Sequence, residues 1–281
     1  MTAPLATVNG AAALASAPRH VLDFEPPRDG FAFPNSFRWT DDDLAMLTDE
    51  LRPVLRALVL GSGGLLGGVL GRERGALAGL GAAVTALALR APERLVHRLA
   101  RRWPTFGLCG GMALAAAERW PHRAGLPTSQ LEPGPLRAHL RRRQAQTIRA
   151  AGPTFVRYWL AALAGPSNAL RLGGALQREI GLARRRIEAG RPVVLGLVGD
   201  APDPFAMHQV VAFGFETEPR GATTFLVYDP NAPGHTRRVR AQAKNGRAYV
   251  ETDLPTGPKR NGGYHINRTP GRLAMAFVVD V

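Results

Sequence analysis

The chain carries one thiol, Cys109, in the stretch "FGLCGGMALAAAERW" from Phe106 to Trp120. It stands where a loop gives way to a helix, between a leucine and two glycines. A buried packing cysteine needs no such setting, whereas a nucleophile does. The thiolate is the reactive form, and a helix N-terminus with a neighbouring imidazole lowers a thiol's pKa and activates it. In this reading unpaired backbone N–H groups and the helix dipole favour negative charge on Cys109. Gly110 and Gly111 leave room either for a substrate backbone to approach the sulfur or for close packing of the helix on a sheet.

The base must come from elsewhere in the chain. There are seven histidines. His20 lies near the start, His97, His122 and His139 lie in Arg-rich helical or loop contexts, His235 follows "NAPG", and His265 lies in "GGYHINR". His208 opens the run "HQVVAFGF", and a histidine at the start of a strand can project from the sheet edge towards a helix N-terminus. An orienting acceptor for the other ring nitrogen is expected nearby. The next strand ends "FLVYDPN", so hairpin pairing would set Asp229 beside His208, with Asn231 the alternative orienter. For the oxyanion, the Cys109 N–H is one donor. The upstream amide that could supply another is Asn35, in "FPNSF".

In this order, "GLCGGM", "HQVVAFGF" and "YDPNAPG" resemble the papain-like cysteine peptidase superfamily. They look most like its bacterial branch related to the bacteriocin-processing (double-glycine) peptidases, in which the third residue is an Asp followed by Pro. The resemblance implies a nucleophile-bearing helix packed on an antiparallel sheet that carries His208 and Asp229. It also implies amide or peptide bond cleavage through a thioester acyl-enzyme. Trp103 stands where that family usually carries a Gln upstream of the cysteine, which leaves the second oxyanion donor open. An acyltransferase or deamidase on the same triad is the alternative. So is a non-catalytic binding or membrane-associating, effector-like protein on the same scaffold.

The elements that must position these residues fall into two parts. Residues 1–22 read as a disordered lead-in, with no basic n-region or sustained apolar core of the Sec type. Residues 23–281 read as a single domain of the α+β class, helical over about 40–190 and β-rich over about 191–281. "TDDDLAMLTDELRPVLRALVL" starts a helix, with Thr40 or an Asp as N-cap. "PERLVHRLARRW", "PLRAHLRRRQAQTIRAA", "TFVRYWLAALAG" and "GALQREIGLARRRIEAG" have helical spacing, and Pro153 separates the middle two. Short β-branched runs bounded by Gly, Pro, Asn and Asp follow, among them "RPVVLGLVGD", "TRRVRAQ", "RAYVETD" and "RLAMAFVVDV".

Glycines 63, 67, 71, 75 and 79 recur every fourth residue, which on a helix is a face for close helix approach. Arg72, Glu73 and Arg74 split this apolar run into pieces shorter than the roughly 20 residues that span a bilayer. The stretch reads as a tightly packed helix or hairpin, with membrane association the alternative.

A single cysteine excludes an internal disulfide and a multi-thiolate metal site. It fits a reducing, cytoplasmic compartment, with export by a non-Sec route left open. No phosphate loop or metal-ligand spacing is present, so no cofactor and no metal are expected. The formal charge is +14, almost entirely from arginine, since only Lys244 and Lys259 are lysines. A peptide or protein substrate is expected, with an acidic partner or membrane surface also open. Nucleic acid is not expected, because no recognition motif or interleaved aromatic and basic pattern is present.

Overall fold

The structure is a computed structural model that describes residues 19–53, 92–102, 105–122, 134–163, 172–199, 207–254 and 271–281. The Gly-periodic stretch, Trp103 and His265 lie outside these residues. Among the described residues the fold is α+β, helices together with an antiparallel sheet. No helix among them is long and apolar enough to cross a membrane.

The sheet is built from β4 (Val193–Val198), β5 (Met207–Thr217), β6 (Thr223–Tyr228), β7 (Thr236–Lys244), β8 (Arg247–Thr252), β9 (Arg272–Leu273) and β10 (Met275–Val278). Its order is β10-β4-β5-β6-β7-β8-β9, and every pairing is antiparallel. β4 and β6 are buried at every position, so both of their faces are covered. Asn245 and Gly246, both at positive φ, turn β7 into β8, as an Asn-Gly hairpin requires. "RLAMAFVVDV" is two strands rather than one. β9 pairs with β8 at one end of the sheet, and β10 pairs with β4 at the other. Only Ala274 separates them, so the sheet must curl until its two ends meet, much as a barrel closes.

The strand β1 (Arg19–Val21) pairs with the later half of β5, where β4 has ended. Of the expected lead-in over 1–22, residues 19–21 form a strand of the sheet. Leu22 N–H bonds Phe213 O, and Phe24 stacks on Phe213 with centroids 5.1 Å apart. Burial of this aromatic side chain fixes a segment whose polar start gives no strand pattern. From β1 the chain passes through α1 (Pro26–Asp29) to β2 (Phe37–Arg38), which pairs with β3 (Thr105–Phe106) just ahead of the cysteine. Trp39 stacks on Phe106 at 4.2 Å, and Phe31, Phe33 and Phe37 continue the aromatic row into the core. Residues 19–38 thus form a strap from the sheet to the strand that delivers Cys109.

The helix over residues 41–53, here α2, is capped by Thr40. Asp43 N–H reaches Thr40 Oγ1, and Asp43 Oδ2 accepts from Thr40 N–H at 2.9 Å. This is the reciprocal arrangement of a capping box with Asp in the third position. α3 (Pro92–Arg102) precedes β3, and α4 (Cys109–Arg119) follows it. α5 runs unbroken from Pro135 to Leu163 and contains Pro153, correcting the expected break there. A proline inside a helix removes one hydrogen bond. Here Pro153 is exposed while Ile148, Ala151, Phe155, Val156 and Tyr158 are buried on either side, and their burial holds the helix together. α6 (Leu172–Glu188) buries Leu172, Leu176, Ile180, Ala183 and Ile187, one apolar stripe, against the curled sheet.

Candidate active site

Cys109 is the first residue of α4, and every residue from Cys109 to Ala116 is buried. Helix N-terminal N–H groups lack intrahelical acceptors and must find others. Met112 N–H bonds Leu108 O, and Gly111 N–H donates to Gln144 Oε1 from α5 at 2.9 Å. Among the described residues the N–H groups of Cys109 and Gly110 have no hydrogen-bond acceptor. Two backbone donors therefore flank the sulfur. The contribution of Gln144 has no local signal in the sequence, because it arrives from another helix.

The glycines decide how deeply this helix sits. A Cβ on Gly111 would lie 2.2 Å from Leu140 O, and one on Gly110 would lie 2.2 Å from Thr147 Oγ1 and 2.8 Å from Gln209 Oε1. Of the two uses open from sequence, these distances match close packing of α4 against α5 and β5.

His208 is the second residue of β5. The β5–β6 register sets Val211 opposite Tyr228 and carries the residues just past β6 alongside the start of β5. Asp229 Oδ1 lies 2.6 Å from His208 Nε2 and also accepts the Asn231 backbone N–H at 2.8 Å. An ionised carboxylate only accepts, so Nε2 is the donor and Nδ1 is left for the cysteine. Cys109 is near enough to His208 to act on its charge. Asp229 is fully buried, and its Oδ2 has no hydrogen-bond partner among the described residues. Among the described residues its hydrogen bonds are made through Oδ1.

These surroundings set the charge on the imidazole. Burial, the largest influence, opposes the imidazolium. The charge and hydrogen bond of Asp229, followed by those of Cys109, more than offset it, and His208 is pushed up to about 10 from 6.5. Cys109 and His208 are 7% and 5% exposed. Their interaction is therefore screened little by solvent.

The two asparagines lie in the same site. Asn231 Nδ2 stands 3.3 Å from His208 Nε2, farther than the carboxylate, so Asp229 is the principal partner of that nitrogen. Asn35 is buried, and its Oδ1 accepts the N–H of Leu108. Its Nδ2 donates to Asn231 Oδ1 at 3.3 Å, and its backbone N–H bonds Pro230 O at 2.9 Å. The amide expected as an oxyanion donor is thus a bridge between the cysteine turn and the Asp–Pro–Asn loop.

The other described histidines lie elsewhere. His20 stacks on Phe215, His97 is exposed on α3, His122 ends a short 3₁₀ turn, and His235 follows the loop before β7. His139 lies on α5 among Arg143, Arg142 and Arg119. No group of three or more His, Cys, Asp or Glu side chains among the described residues is placed to hold a metal ion.

Comparison with protein-family models, with curated proteins and with solved structures finds no match to this chain. A sulfur at a helix N-terminus, an imidazole whose pKa a buried carboxylate raises, and backbone donors that have no acceptor among the described residues are together a set that acyl transfer through a thioester can use.

Proposed function

We propose that this chain is a papain-like cysteine hydrolase that cleaves amide or peptide bonds. The observation that carries this reading is the approach of His208 Nε2 to Asp229 Oδ1, 2.6 Å, with Cys109, at the start of α4, also near enough to raise the His208 pKa. The nucleophile-bearing helix packed on β5 of an antiparallel sheet supports the fold part of the proposal.

In the proposed cycle Cys109 is the thiolate and His208 the imidazolium, oriented by Asp229. The sulfur attacks the carbonyl carbon of an amide, and the C–S bond forms as the carbonyl π pair moves to oxygen. That oxyanion is held by the N–H of Cys109 and the donors beside it at the helix N-terminus. His208 Nδ1–H gives its proton to the leaving nitrogen, the C–N bond breaks, and an amine departs from the thioester. Water then loses a proton to His208 and attacks the thioester. Expulsion of the Cys109 thiolate releases the carboxylic acid and restores the ion pair.

The test is to incubate the protein with a proteome-derived peptide library and with a peptidyl vinyl sulfone, alongside Cys109→Ala. New peptide N-termini, with covalent labelling at Cys109, are the expected result, and both are absent in the variant. A protein that cleaves no peptide and leaves the electrophile unreacted contradicts the proposal.

A further inference from the structure

Asn35 occupies a place that the proposed cycle leaves unused. It lies in the strap, far from Cys109 and Asp229 in sequence, yet it is buried between the loops that carry them. Three hydrogen bonds hold it there. Its backbone N–H grips Pro230 O, its Oδ1 takes the Leu108 N–H, and its Nδ2 reaches Asn231 Oδ1. A Cβ on Gly107 would lie 2.5 Å from its Nδ2, so the chain leading to the cysteine passes directly against the amide.

The order of donors and acceptors fixes both amides. A backbone N–H can only donate, so Asn35 must present oxygen to Leu108 and NH2 to Asn231. Asn231 must then present its oxygen to Asn35, which leaves its own NH2 beside His208 Nε2. That NH2 cannot accept the Nε2–H proton. Asp229 is thus left as the acceptor for that proton, at 2.6 Å.

We propose that Asn35 is a positioning residue that ties the turn bearing Cys109 to the loop bearing Asp229, and through Asn231 leaves Asp229 as the acceptor for His208. This rests on the reading of Cys109, His208 and Asp229 as an activated triad. It makes residues 19–38 part of the site, since the strap delivers the amide. It also differs from oxyanion donation in a way that can be measured. Alkylation by iodoacetamide displaces iodide at a saturated carbon and develops no oxyanion. Loss of an oxyanion donor leaves that reaction unchanged, and loss of a positioning residue slows it.

Two variants separate the possibilities. Asn35→Leu keeps the branched shape, with somewhat more bulk, and removes both side-chain hydrogen bonds. Asn35→Asp keeps the acceptor for Leu108 but cannot donate to Asn231, whose amide then reverses and turns its oxygen to Nε2–H. With the wild type labelled rapidly at pH 6, Asn35→Leu should be labelled at least about tenfold more slowly while unfolding cooperatively. In Asn35→Asp the His208 titration, read by two-bond ¹H–¹⁵N NMR, should move upward by about half a pH unit or more, because an acceptor and a nearby negative charge are gained. Labelling of Asn35→Leu at the wild-type rate overturns the proposal, even if peptide cleavage is lost. Should Asn35→Leu not fold, an unmoved His208 titration in Asn35→Asp overturns it alone. A wild-type thiol no faster than His208→Ala instead removes the triad reading, and the positioning role with it.

Discussion

Replacing Asp229 by Asn removes a charge from the site with little change in shape. The Asn231 backbone N–H, 2.8 Å from Oδ1, can bond only an acceptor, so it holds the new amide with its oxygen towards His208 Nε2. The hydrogen bond to the ring is kept. The new NH2 occupies the place of Oδ2, which has no hydrogen-bond partner among the described residues. What is lost is the Coulomb attraction, about 4 kcal/mol for unit charges about 4 Å apart at an effective dielectric of about 20. At 1.36 kcal/mol per pH unit this is about 3 units. His208, now pushed up to about 10, should titrate near or below neutrality in the variant, because its burial still opposes the charge.

The thiol then has a neutral neighbour. Loss of the cationic partner disfavours the thiolate, so iodoacetamide labelling at pH 6.5 should fall by at least about tenfold. The assay is the labelling rate of Cys109 between pH 5 and 9, in wild type and Asp229→Asn, each checked for cooperative unfolding. A rate for the variant within about twofold of wild type at pH 6.5 would refute the electrostatic argument. Stability gives a second reading with a definite sign. The folded-state value of His208 lies above its unfolded value, so its contribution is complete below about 6.5 and fades as pH rises towards about 10. The stability deficit of Asp229→Asn should shrink over that same interval.

Four further substitutions test the framework. Gly111→Ala should destabilise by about 1–3 kcal/mol in urea and more than Gly110→Ala, because the former meets the Leu140 carbonyl and the latter a movable hydroxyl; equal costs would contradict the packing. Arg137, buried against Asp43, also donates to Arg38 O, and Arg137→Leu should cost about 3 kcal/mol, with Arg141 still beside Asp43 to limit the loss; a neutral effect in urea melts would show the pair to be dispensable. His139 is held below 6.5 by burial first and then by Arg143, Arg142 and Arg119, so stability is lost as pH falls through that range. His139→Gln should therefore lose less stability than wild type between pH 7 and pH 5, and parallel losses would contradict this.

Much of the β-rich half was legible because its signals are local. Runs such as Val193–Val198 and Thr223–Tyr228 are β-branched or aromatic, and Asn245-Gly246 marks its own hairpin. The juxtaposition of His208 and Asp229 could be anticipated because one antiparallel pairing connects them. The features that escaped depend on distant partners. Pro153 reads as a break, yet burial of Ile148 and Phe155 on either side keeps α5 whole. Arg19–Val21 shows no strand pattern and pairs only because β4 ends and leaves β5 open. The glycines beside Cys109 allowed two readings, and the close packing seen there depends on Leu140 and Thr147 of another helix, which no local spacing reveals. Asn35 was visible as an amide, but its acceptors and donors come from Leu108 and Asn231, which no local spacing reveals.

The central claim is that His208 activates Cys109, and it is tested most directly by labelling wild type and His208→Ala with iodoacetamide at pH 6, followed by intact-protein mass spectrometry. A single rapid adduct on Cys109 is expected in the wild type, with labelling at least about tenfold slower in the folded variant. Equal rates in the two proteins would contradict it, because the sulfur would then owe nothing to the imidazole beside it.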